Sequence, residues 1–169
     1  MADNTHRSRQ VEKVACAVIT VSDTRTDETD ESGALIRKRL TSLGHVVTAH
    51  QIIPDDPDRI RAAVEAYCVD TTTQAILLTG GTGLAPRDTT YEAIVGLLDK
   101  TLDGFGELFR MLSYEEVGSA AMLSRAVAGV RHETAVFALP GSVGAVRLAM
   151  DKLILPELGH IAALLRGPS

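Results

Sequence analysis

The chain has 169 residues, a formal charge of −5 from 17 basic and 22 acidic side chains, 45% hydrophobic residues and no tryptophan. That length and composition suit one globular domain with an aliphatic core, built of helices packed on a Val/Ile-rich sheet. Its scattered basic residues argue against nucleic acid as a partner, and its apolar stretches fall short of the roughly 18 residues of a membrane span.

Residues 1–12 read as a flexible tail without the apolar core of a signal peptide, so the expected location is the cytoplasm. Residues 13–169 read as a single domain. Residues 14–21 are a continuous β-branched apolar run, as in a strand covered on both faces. An acidic loop follows, and Ser32 reads as the cap of a helix carrying Leu35, Ile36, Leu40 and Leu43, ended by Gly44. Residues 45–53 form a second strand that stops at Pro54-Asp55-Asp56-Pro57, and a helix runs from about 58 to 69.

A third buried strand, 75–79, enters the glycine loop Gly80-Gly81-Thr82-Gly83 directly. Thr89 and Glu92 fit a capping box for a helix over 91–98. Residues 104–107 read as a break before a helix over 108–117. Runs 125–130 and 134–139 read as a hairpin-like strand pair, Pro140-Gly141-Ser142 opens a further helix, and a last one spans about 156–165. Strands alternating with helices give a three-layer αβα sandwich with a mostly parallel, Rossmann-like sheet.

Ligands of such sheets bind beyond the carboxyl ends of the strands. Four loops should meet there, beginning at Ser22-Asp23, Pro54-Asp55, Gly80 and Pro140. Glycines let backbone N–H groups approach an anion, with Thr79 and Thr82 adding hydroxyls, although a plain tight turn explains the same residues. Arg87 suits a phosphate, and Asp88 either holds Mg²⁺ or caps the next helix. Asp55 and Asp56 are equally open to a turn reading. Ser142 reads as a cap, Cys16 and Cys68 as buried thiols, and the five histidines form no metal constellation.

Read in order, Leu78-Thr79-Gly80-Gly81-Thr82-Gly83-Leu84-Ala85-Pro86-Arg87-Asp88, Gly104-Phe105-Gly106-Glu107-Leu108-Phe109-Arg110, Ser119 to Arg125 and Leu139-Pro140-Gly141-Ser142 closely resemble the MoaB/MogA family of molybdenum-cofactor biosynthesis, in its MoaB branch. The resemblance implies a molybdopterin-binding domain that transfers AMP from ATP to molybdopterin with Mg²⁺. It implies Asp55 and Asp88 as catalytic, metal-holding residues. It implies Thr79, Gly80, Gly81, Thr82, Gly83, Arg87, Pro140, Gly141 and Ser142 as substrate or nucleotide contacts, with Ser22, Asp23, Glu107, Ser119, Ser124 and Arg125 around them. It also implies a trimer or hexamer and contact with other proteins of the pathway. Two further readings stay open: a pterin-binding or assembly protein without turnover, and a hydrolase of another nucleotide.

Overall fold

The computed structural model describes residues 11–167. Strands β1 (Ala15–Val21), β2 (Val46–Ile53), β3 (Ala75–Thr79) and β6 (Thr134–Leu139) run parallel, β5 (Val127–Arg131) is antiparallel to β6, and the short β4 (Lys100–Thr101) is antiparallel to β5. They form one sheet in the order β2-β1-β3-β6-β5-β4. Because successive side chains alternate across a strand, each central strand feeds two cores. Cys16 and Val18 of β1, Leu77 of β3 and Phe137 of β6 point to one face; Ile19, Ile76, Leu78 and Val136 point to the other.

The first face is covered by α1 (Glu31–Ser42), α4 (Asp103–Val117), α5 (Val143–Ala149) and α6 (Leu155–Leu165), the second by α2 (Pro57–Val69) and α3 (Thr90–Val95). This is the three-layer α/β architecture expected from the sequence. Both cysteines are buried in it, and burial pushes the Cys16 thiol up to about 12 and the Cys68 thiol up to about 11.

Three local expectations are corrected, and one short strand is added. Asp30, not Ser32, caps α1, its carboxylate accepting from Gly33 N at 2.9 Å, because Ser32 turns inward to donate to the Gly141 carbonyl. Residues 104–107 do not break the helix. They form its first turn, where the missing side chain of Gly106 lets the Ala126 carbonyl approach. Thr89 and Glu92 make no capping box, since Thr89 is drawn to Asp55 and Glu92 to Arg125, and α3 ends at Val95. The two-residue β4 was too short to show in the residue pattern.

Of the tail read over residues 1–12, residues 1–10 lie outside the described residues. Val11 donates its amide to the Gly159 carbonyl at 3.1 Å. Among the described residues no helix is long and apolar enough to cross a membrane.

Candidate functional site

Chain connections leave β1 toward β2 on one side and β3 toward β6 on the other, so the switch point lies between β1 and β3. Loops after β1, β2, β3 and β6 meet above it. Asp23 accepts from the Asp55 amide at 3.0 Å, the Gly80 amide donates to the Leu139 carbonyl at 3.0 Å, and Ser32 ties α1 to Gly141 at 2.9 Å. Strand β5 runs the other way, and its direction delivers Ser124 and Arg125, which precede it, to the same edge.

Two hollows open there. One, of about 460 Å³, lies over the glycine loop and is walled by Asp88, Phe109, Ala121, Ser124 and the loop after β6. A smaller one, of about 170 Å³, is lined by Ser22, Asp23, Asp55, Gly81, Arg87 and Asp88. Gly81 and Asp88 belong to both, so they form the shared wall.

The loop is bent by necessity. Gly80 (φ 101°) passes so close to β1 that a Cβ on it would stand 2.2 Å from the Val21 carbonyl oxygen. Gly81 (φ 68°) leaves no room either: a Cβ there would lie 2.3 Å from Thr90 Oγ1 and 2.4 Å from Asp55 Oδ2. Three of the loop's carbonyls are held by protein donors. Gly81 O accepts from the Thr90 amide at 2.9 Å, while Thr82 O and Gly83 O accept from Arg125 at 3.0 and 2.5 Å. The amides of Gly81, Thr82, Gly83 and Leu84 donate to no protein group among the described residues. In a trans peptide the N–H points opposite to the preceding C=O, and the described chain has no cis bonds. The amides of Thr82, Gly83 and Leu84 thus point away from the donors that hold the loop, an arrangement of the kind that can cradle an anion.

Carboxylates stand on either side of it. Asp55 Oδ1 accepts from the Thr89 amide at 3.0 Å and its hydroxyl at 2.6 Å, and Asp88 Oδ2 accepts from the Ala85 amide at 3.0 Å. Asp55 Oδ2 and Asp88 Oδ1 accept no hydrogen bond among the described residues. No three His, Cys, Asp or Glu side chains cluster there as a complete metal cage. Mg²⁺ does not need one, because it is commonly held by one or two carboxylates together with water and substrate phosphates. Two half-used carboxylates beside an anion cradle fit that ion.

Residues 17–160 match the family model described as "Probable molybdopterin binding domain". The chain is 54% identical over 167 residues to molybdenum cofactor biosynthesis protein B of Bacillus subtilis, covering 98% of each chain. It belongs to this molybdenum-cofactor biosynthesis family. A crystal structure of a molybdenum cofactor biosynthesis protein B superposes with a TM-score of 0.91 at 52% identity, covering 94% of this chain and all of that one. The tungsten cofactor synthesizing protein MoaB of Pyrococcus furiosus gives 0.81 at 40%, covering 92% of this chain and 99% of that one.

Not every residue that the likeness to the molybdopterin-binding family singled out lines the crevice. Ser22, Asp23, Asp55, Gly80, Gly81, Thr82, Gly83, Arg87, Asp88, Ser124, Pro140, Gly141 and Ser142 do. Thr79 is 1% exposed, its hydroxyl donates to the Pro140 carbonyl at 3.1 Å, and it joins the loops after β3 and β6 while lining neither hollow. The helix that begins at Asp103 turns Glu107 into a neighbouring hollow of about 490 Å³ with Tyr91, Arg110 and Arg125, which meets the glycine-loop hollow at Ser124. Ser119 is exposed on the turn after α4 and lines neither hollow of the crevice. Ser142 caps α5 as expected, accepting from Ala145 N at 3.3 Å.

Sequence reading missed the supports. Asp30 is 1% exposed and gathers Thr20 Oγ1 at 2.6 Å, Gly33 N and His50 Nε2 at 3.1 Å, which anchors the start of α1 and so places Ser32 against Gly141. Thr90 is wholly buried beside the loop, its hydroxyl without a partner among the described residues. The only signal for either was a polar residue at the edge of an apolar run.

Proposed function

We propose that the chain adenylylates molybdopterin: an oxygen of the terminal phosphate of molybdopterin bonds to the α-phosphorus of ATP, the bond from that phosphorus to the bridging oxygen of the β-phosphate breaks, and pyrophosphate leaves. The observation that supports this reading is the glycine loop, which has three carbonyls held by protein donors and four amides that meet no acceptor among the described residues, beside two carboxylates each with an oxygen that no described donor uses. Phosphate meeting phosphate is repulsive, so positioned donors must offset the charge that builds up. The loop amides supply donors at no cost of reorganisation, and Arg87 at the mouth of the smaller hollow adds a cation. The carboxylates need not act as bases, because the attacking phosphate is already ionised near neutral pH. Mg²⁺ held by Asp55 and Asp88 would draw electron density from the phosphate oxygens and favour the departure of pyrophosphate.

The larger hollow, with Phe109, Ala121 and Leu148 in its wall, offers apolar surface for a flat ring, and the smaller one offers charge. The test is direct. Folded protein incubated with molybdopterin, ATP and Mg²⁺ should yield adenylyl-molybdopterin and pyrophosphate in equal amounts. Tight molybdopterin binding with no product would overturn the enzymatic reading in favour of a carrier, and release of pyrophosphate without molybdopterin would favour a nucleotide hydrolase.

We also propose a homo-oligomer. Leu108 and Met111, three residues apart on α4, are exposed apolar side chains, as is Met122 after the helix, and a second copy would cover them. Met111→Glu combined with Met122→Glu should lower the mass read by sedimentation to that of a monomer. An unchanged mass in an oligomeric protein would move the interface elsewhere.

A further inference from the structure

Arg125 reaches the glycine loop from the side away from the crevice. Its Nε and Nη2 donate to the Thr82 and Gly83 carbonyls, Nη1 and Nη2 meet the Glu92 carboxylate, and the guanidinium carbon stands 4.8 Å from the centre of the Tyr91 ring. A guanidinium has five N–H donors, and these bonds use four of them. Little is left to offer a ligand, and the positive charge is already matched by Glu92, whose carboxyl the arginine holds below its ordinary range.

We propose that Arg125 is a positioning residue: by holding the carbonyls of Thr82 and Gly83 it fixes two consecutive peptide planes, so that the amides of Gly83 and Leu84 face the phosphate site. The mechanism follows from planarity, since a carbonyl pinned on one side sends the next N–H to the other. The glycines of this loop have wide conformational freedom. Without the clamp the amides would sample many directions, and a ligand would have to order them on binding. Lysine could not substitute, because a single ammonium on a flexible stem does not span two carbonyls in one plane. The proposal rests on reading the loop as a phosphate site, but the order of the loop can be measured with no ligand present.

The experiment is ¹⁵N relaxation of the unliganded protein and of Arg125→Met, Arg125→Lys and Glu92→Gln, together with molybdopterin titrations. Wild type should show order parameters near ~0.85 for the Gly83 and Leu84 amides, and Arg125→Met values below ~0.6. Arg125→Lys should fall between, and it carries the test if the methionine variant does not fold. Molybdopterin affinity should drop about tenfold or more in Arg125→Met, in step with the loss of order. Loop amides as rigid as wild type in a folded Arg125→Met overturn the proposal. Tighter molybdopterin binding by Glu92→Gln also overturns it, since a released arginine would then be acting on the ligand itself. If loop order falls in Arg125→Met while not even wild type binds molybdopterin, the clamp stands and the phosphate-site reading fails.

Discussion

Where β5 turns into β6, Arg131 donates to Glu65 at 2.9 Å and to Asp99 at 2.8 Å, His132 Nε2 stands 3.1 Å from the same Glu65, and the His132 amide donates to Asp99 at 2.7 Å. At the opposite edge of the same sheet, among the described residues, Asp23, Asp55 and Asp88 each use one oxygen and leave the other without a donor, and four loop amides go unmet. Both edges are rich in polar groups. The β5–β6 turn has matched its charges to each other, and mismatched groups held in place by a scaffold are what a ligand can complete. The charged cluster at that turn is thus a closure, and the carboxyl edge a candidate site.

The largest effect is expected where the mismatch is charged. Asp88→Asn keeps an oxygen for the Ala85 amide but removes the charge, so adenylylation should fall on the order of a thousandfold while the melting temperature holds. Product formation within tenfold of wild type would take Asp88 out of the chemistry. Asp55→Asn should lose activity comparably and stability as well, because Asp55 Oδ1 also holds Thr89 through two bonds. Gly81→Ala comes next: the new methyl meets Thr90 and Asp55 and is forced to a positive φ, which should cost about 1–3 kcal/mol of stability and abolish tight molybdopterin binding. An alanine variant that binds as wild type does would show that the loop rearranges freely.

How much of this contrast could be read in the residues follows from the range of the interactions. The central strands were legible because burial on both faces writes a continuous apolar run, as in Ala75–Thr79. The glycine loop and Asp88 were legible because a close approach of backbone and a carboxylate five residues after Gly83 leave a local mark. Arg125 drew attention through resemblance, but its task did not, since Thr82 lies 43 positions away and only the antiparallel course of β5 brings the two together. The start of α4 was misread for a related reason: two glycines suggested a broken helix, whereas one of them admits the Ala126 carbonyl and the helix continues. Ser32 looked like a cap because it lies one residue inside the true helix start.

That serine gives a finer test of the open edge. Its hydroxyl, 2% exposed, is held by the Asp30 network against the Gly141 carbonyl, so Ser32→Ala leaves a loop carbonyl with a lost donor. The loss of about 1 kcal/mol should appear as roughly fivefold weaker molybdopterin binding. An equal fall in stability with unchanged binding would mean that the Gly141 loop holds its shape without α1.

The smallest effect belongs to the closed edge and serves as the control for the comparison. Arg131 and His132 hold the Glu65 carboxyl below its ordinary range, and the His132 amide and Arg131 do the same for Asp99. Groups whose folded value is depressed add stability above their unfolded value, near about 4, and lose it as the pH falls through the folded value. Arg131→Met should therefore lower the melting temperature slightly at neutral pH, and the difference from wild type should close as the pH drops well below about 4. These carboxylates are exposed to solvent, so salt should shrink the effect in the same way. A deficit that persists in acid would mean that the arginine stem, not its charge, joins the two strands and α2. Molybdopterin binding should not respond to this substitution at any pH, because the ion pairs it breaks lie across the full length of β6 from the glycine loop.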